Sequence, residues 1–271
     1  MNFRIRECKE KSNMIREIKE IYQYREMLNN MVKKDLRTRY KGSVLGFLWT
    51  FVNPLFQLVI YTVIFSNIMR MNIDKFHMFL FVALLPWIFF STSLQVSTTS
   101  VIANKELVKK IYFPRIILPL SVVVANLMNF IFSFAILFPA LILSGIGITQ
   151  AVLWLPLVLI VEFELALAFS VLFAGLNVYF RDLEHLLGIV IMAWFYFTPI
   201  VYPVDMIPGR LVPLFNMNPM LHIISAFRDV LYYGRMPDIK MLGVVFVAGF
   251  VLLAISSAAF DRLQKNFAEE I

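Results

Sequence analysis

MVKKDLRTRYKGSVLGFLWTFVNPLFQL, residues 31–58, runs from a basic amphipathic segment through a short Gly-containing bend into a long apolar span. Up to Lys41 the chain can lie in the face of a membrane, where anionic headgroups attract Lys33, Lys34, Arg37, Arg39 and Lys41. From Val44 onward it has to enter lipid, with Trp49 a little deeper. Asn53-Pro54 then interrupts the span, because Pro54 has no N–H to give to the carbonyl of Thr50. This junction sets which end of the chain is inside.

The composition agrees. Of 271 residues, 60% are hydrophobic and only 16% charged, which is the balance of an integral membrane protein. Residues 1–43 carry twelve Lys/Arg against six Asp/Glu. They do not read as a signal peptide, because the basic region is too long and no small-residue cleavage site follows the first apolar span. The single cysteine, Cys8, excludes an internal disulfide. A formal charge of +7 does not imply nucleic acid here, since the cations cluster on one side of the predicted membrane.

Residues 12–36 read as an amphipathic helix, with apolar positions recurring every three or four residues. It either lies flat in the interface or packs on a partner. Six spans follow: Val44–Ile68, Phe76–Ala103, Ile116–Gly145, Val152–Val178, a short Leu186–Val201, and Met241–Phe260. The head, the Asn104–Arg115 loop, the Tyr179–His185 loop and the tail hold 19 of the 25 Lys/Arg, so both termini are expected on the cytoplasmic side. Between the fifth and sixth spans, Leu211–Met217 and Pro219–Tyr233 each suit a short helix broken at Asn218-Pro219. They form either a re-entrant pair or a cap on the outer surface. The expected class is an all-α membrane protein, with a cytoplasmic head over 1–43 and a transmembrane domain over 44–271.

Enzyme motifs are missing. No GxxxxGK[ST] or HExxH is present, and His77, His185 and His222 lie on different segments. Ser93, Ser97 and Ser100 share one helical face and either line a pore or pack helices closely. Glu162 and Glu164 are acids deep in a span, where a carboxylate costs about 3 kcal/mol to insert. They point to different faces, and either serve a polar cavity or are neutralised structurally. Trp87, Phe89, Phe90 and Tyr196 belong to aromatic clusters that either bind sugar C–H faces or mark membrane borders. In Asn104–Arg115, residues Glu106, Leu107, Val108, Lys109, Lys110, Ile111 and Tyr112 suit about two helical turns ahead of Pro114. Leu107, Val108, Ile111 and Tyr112 would then share one apolar side facing the cytosol.

Five runs, in order, resemble the ABC-2 type permeases that export O-antigen, teichoic-acid and rhamnose polysaccharides. They are KKDLRTRYKGSVLGFLWTFVNPLFQLVIYTVIFS, NKELVKKIYFPRIILPLS, GLNVYFRDLEHLLG, FYFTPIVYPVDMIP and NPMLHIISAFRDVLYYG. The resemblance implies a homodimer with six spans per subunit and two short re-entrant helices. It implies two copies of a separate ATPase subunit, which binds the ATP and Mg that this chain does not, leaving it without a cofactor or metal of its own. It implies a polyprenyl-pyrophosphate-linked glycan as substrate, in the cytoplasmic membrane of a bacterium. The loop helix Glu106–Tyr112 would then couple to the ATPase, and Arg181 and Asp182 would shape the second cytoplasmic loop. Arg37, Arg39 and Lys41 would either meet the pyrophosphate or anchor on headgroups. Ser93, Ser97, Ser100, Glu162, Glu164, Trp87, Phe89, Phe90 and Tyr196 are the candidates for the channel lining. A drug or simple-lipid exporter, or a polyprenyl-phosphate enzyme, is the alternative; an enzyme would need clustered Asp, His or Arg at one membrane face.

Overall fold

The computed structural model describes residues 14–40, 45–68 and 73–270, and every regular element in them is helical. The expected N-terminal helix is two, α1 (Met14–Gln23) and α2 (Arg25–Tyr40). They are joined at Tyr24, whose N–H still reaches the Glu20 carbonyl at 3.1 Å. Met31 and Val32 of α2 are buried and α2 packs along α6, so the head leans on the bundle. Lys41 and the side chain of Arg39 lie outside the described residues, whereas Arg37 is exposed on α2.

A 3-10 turn, Gly46–Leu48, leads into α3 (Trp49–Thr62). Gly46 sits at φ +48°, a left-handed conformation that glycine adopts without a Cβ clash. The helix runs through the buried Pro54 and ends in a π turn, Val63–Ile68. Next come α4 (Phe76–Ala103), the short α5 (Lys105–Lys110), α6 (Ile117–Leu143) and α7 (Leu155–Asn177). The chain closes with α8 (Leu183–Tyr196), α9 (Val212–Asn216), α10 (Pro219–Leu231), α11 (Ile239–Leu263) and α12 (Phe267–Glu270). Among the described residues, five helical stretches, Gly46–Ser66, Phe76–Ala103, Ile117–Leu143, Gln150–Asn177 and Ile239–Asn266, are long and apolar enough to cross a membrane. The chain is a multi-pass membrane protein.

Helix α4 is the centre of the bundle: 78% of its most apolar part is buried, against 11% for that of Gly46–Ser66, the stretch that contains α3. It packs along α6 and α7, and α7 packs along α11. Small residues bring α7 and α11 together. A Cβ on Gly175 would stand 3.0 Å from the Phe260 ring, and one on Gly249 would stand 3.5 Å from Glu164 Oε2. Gly175→Leu is therefore expected to overpack this seam and destabilise the protein by about 1–3 kcal/mol. A lowered midpoint in thermal unfolding of the purified chain checks it; an unchanged midpoint contradicts the close packing.

The expected fifth span differs. Rather than Leu186–Val201, α8 has 14 residues, about 21 Å, which is short of about 30 Å of hydrocarbon. The chain continues through Thr198–Val201 without helix, yet all four residues are buried. Backbone in that state needs partners from within the protein. Arg228 of α10, 3% exposed, supplies two of them. Its Nη1 and Nη2 donate to the carbonyls of Pro199 (2.5 Å) and Ile200 (2.6 Å), and Nε donates to Phe79 O of α4 at 3.4 Å. The guanidinium also lies 3.6 Å from the Phe79 ring centroid. Asn218 bridges the same two segments. Its Oδ1 caps α10 at Met220 N and accepts from Trp194 Nε1, while its Nδ2 donates to Phe197 O and Thr198 Oγ1. The short helices α9 and α10 are thus tied to the end of α8.

Candidate functional site

The weakly packed α3 leaves a groove between itself, α4 and α8, with a volume of about 330 Å³. On α4, the residues Trp87, Ile88, Ser91, Thr92 and Gln95 fall on one face and line it. Gln57 and Tyr61 face it from α3, and Phe195 and Tyr196 from α8. Tyr61 stacks on Phe195 at 5.7 Å, and Trp87 meets the same ring edge-on at 5.7 Å. Among the described residues, no Asp, Glu, Lys or Arg lines the groove. Its hydrogen-bonding groups are carboxamides and hydroxyls, which both donate and accept. Such a surface fits a neutral polar ligand better than a metal ion.

A second constellation gathers at the other end of the bundle. Val108 of α5, Met31 of α2, Val178, Phe260 and Phe267 share one buried cluster. Arg115 donates to the Gln264 carbonyl and lies 5.7 Å from the Phe267 ring centroid, and Tyr179 Oη donates to Leu263 O at 2.8 Å. Partial burial lowers the Arg115 guanidinium from its ordinary value, but an arginine stays charged at neutral pH. Lys34 Nζ reaches Asn104 Oδ1 at 3.1 Å. The N-terminal helix, both loops and the tail therefore form one plate. Helix α5 stops at Lys110, with Lys110 paired to Glu106 at 2.8 Å and Ile111 extended at φ −129°, ψ 136°.

The ABC-2 type transporter profile matches residues 27–232. The chain belongs to the ABC-2 type transporter family. It is 37% identical over 264 residues to the O-antigen export system permease protein RfbA of Myxococcus xanthus, covering 95% of this chain and 100% of that protein. It is 35% identical to the protein of the same name from Klebsiella pneumoniae, over 90% of this chain and 94% of that one. The polysialic acid transport protein KpsM of Escherichia coli is 25% identical over 84% of this chain and 89% of its own length. An ABC-2 chain is a transporter subunit rather than an enzyme, as the sequence led us to expect.

Within this ABC-2 subunit, Trp87 and Tyr196 are together in the groove, but the other channel candidates are elsewhere. Ser93 and Ser97 are enclosed in the bundle without a partner for their hydroxyls among the described residues, and Ser100 bonds back to Ser97 O at 2.7 Å. Phe90 is packed between Trp194 and Phe169, and Phe89 stacks on Phe130 away from the groove. Glu162 is fully buried with both oxygens unpartnered among the described residues, and Glu164 lies against Gly249 on the α11 seam. Spacing could not choose between Ser93-Ser97-Ser100 and the adjacent Ser91-Gln95 face. The clearest signal missed in the sequence was Gln57 and Gln95, two long carboxamides in apolar spans.

The α5 loop also departs from expectation. Leu107 and Val108 pack inward on the plate, and only Ile111 (54% exposed) and Tyr112 (92%) present an apolar outer surface. The cause is the early helix end at Lys110, which turns Ile111 and Tyr112 away from the helical register. Arg181 and Asp182 precede α8 in a turn, with Arg181 exposed.

Proposed function

We propose that this chain is the membrane subunit of an exporter for a lipid-linked cell-surface polysaccharide, such as O-antigen or teichoic acid, across the bacterial cytoplasmic membrane. ATP is hydrolysed by a separate subunit, and two copies of each make the transporter. Both termini lie in the cytoplasm, α8 with its extended end adds a crossing to the five long ones, and α9 and α10 re-enter from the outside. Arg37, Arg39 and Lys41 receive the pyrophosphate at the inner face, where like-charged substitutions repel it. Two copies of the groove then face one another as the path of the glycan, and the plate with Ile111 and Tyr112 meets the ATPase.

The observation that carries this reading is the groove lining: uncharged hydrogen-bonding side chains alternate with aromatic rings, in a chain whose relatives are named for polysaccharide export. Sugar hydroxyls pair with Gln57, Ser91, Thr92 and Gln95, and ring C–H faces lie on Trp87, Tyr61 and Tyr196. Gln57→Leu with Gln95→Leu removes two such pairings, each worth about 1 kcal/mol. Export is expected to fall about tenfold or more, read as surface polysaccharide per cell at equal permease level. Unchanged export by this pair would remove the groove from the path.

A further inference from the structure

A second space opens on the other side of α3, a cleft of about 630 Å³ walled by α3, α4 and α6. It shares only Ile88 and Thr92 with the groove. Thr50, Asn53, Asn126, Asn129 and Ser133 give it a polar wall, and Trp49, Phe89 and Phe130 give it rings. Among the described residues, no charged side chain lines it. Its volume lies in the range of about 300–1,000 Å³ usual for small-ligand pockets.

Asn126 is the residue that asks for a ligand. It is 2% exposed, and neither its Nδ2 nor its Oδ1 has a hydrogen-bond partner among the described residues. A buried carboxamide without partners is costly, and surrounding lipid tails cannot supply them. A donor and an acceptor held side by side match a hydroxyl group, which needs one of each.

The depth of the cleft follows from helix lengths. Helices α4 and α6, with 28 and 27 residues, are about 40 Å long and overrun about 30 Å of hydrocarbon. Helix α3 with its π turn, 14 and 6 residues, fits that thickness. Its outer end is level with α4, since Phe65 lies 6.4 Å from Phe76, so the overrun of α4 is at the α5 end. Trp49 and Thr50, at the start of α3, therefore stand at the headgroup border of the leaflet next to α2.

We propose that this cleft binds an uncharged, hydroxyl-bearing group carried by a membrane lipid, a sugar ring above all, reaching it from the leaflet next to α2. The site is separate from the groove and rests only on the membrane placement in the proposed function, not on export itself.

The test places p-benzoylphenylalanine at Trp49, an exposed residue at the cleft mouth, in the full-length chain reconstituted in vesicles. The vesicles hold phosphatidylethanolamine alone, or with monoglucosyl diacylglycerol, or with polyprenyl-pyrophosphate-linked N-acetylglucosamine. After illumination, adduct masses are read. The expected result is capture of a sugar-bearing lipid about tenfold above its mole fraction, reduced to its mole fraction by Asn126→Leu and by Asn53→Leu. Asn53 is exposed in the cleft, so its substitution leaves the packing intact. Capture of the glucolipid assigns the site to a resident headgroup; capture of the polyprenyl lipid alone assigns it to the exported substrate. Capture in proportion to mole fraction, no capture, or enrichment that survives Asn53→Leu overturns the proposal. The assay contains no ATP, so its failure leaves the export reading of the groove standing.

Discussion

Arg228→Leu is expected to lower the stability of the purified permease by about 3 kcal/mol or more, enough to cut its yield sharply. The arginine is buried, and its Nη1 and Nη2 are bonded to the carbonyls of Pro199 and Ile200. Hydrogen bonds to a charged group are worth about 1.5–3 kcal/mol each, and a buried carbonyl left without a donor adds its own desolvation cost. Leucine preserves apolar contact with Phe79 but supplies no donor. Arg228→Lys should recover only part of the loss, since an ammonium lacks the planar fork that reaches both carbonyls while lying on a ring. Thermal unfolding of the three proteins in one detergent decides: equal midpoints for Arg228→Leu and the parent would show that the clamp does not hold the end of α8.

Ile111→Asp with Tyr112→Asp is expected to leave folding intact and release the ATPase subunit. Both side chains are exposed, so little packing in the bundle is lost with them. An apolar residue and a tyrosine presented together beside Lys109 and Lys110 suit a docking contact. Aromatic anchors at interfaces are worth about 2 kcal/mol or more, so affinity for the ATPase should fall at least about 30-fold. Leu107→Asp is the contrasting variant. Leu107 packs against the internal plate, and a carboxylate there should reduce stability rather than binding alone. Copurification of the ATPase with the Ile111/Tyr112 double variant at the parental ratio would rule out this surface as the dock.

Hydropathy located most of the bundle because long lipid-crossing helices have to be continuously apolar. Phe76–Ala103 is α4 to the residue, and the Asn218-Pro219 break separates α9 from α10 as expected. It erred where apolar sequence and helix part company. Thr198–Val201 is mostly apolar but unwound, and two of its carbonyls, those of Pro199 and Ile200, are satisfied by an arginine 28 residues away from Ile200. Nothing local in FYFTPIV reveals that donor. Most of the channel candidates lie outside the groove for a related reason. Periodicity shows that Ser93, Ser97 and Ser100 share a face, but packing alone decides where that face points, and α7 and α10 cover much of α4. The α5 loop was legible as a helix, yet its end at Lys110 decided which side chains stay outside.

The most direct test of the export assignment is reconstitution of the permease with its ATPase subunit in vesicles loaded on the ATPase side with polyprenyl-pyrophosphate-linked glycan. Glycan reaching the opposite face is measured with a membrane-impermeant glycosidase. The account predicts ATP-dependent exposure of the glycan that requires both subunits and falls about tenfold with the Gln57/Gln95 double variant. Exposure at the same rate without ATP or without this chain would contradict it, as would ATP hydrolysis by the complete transporter with no glycan moved.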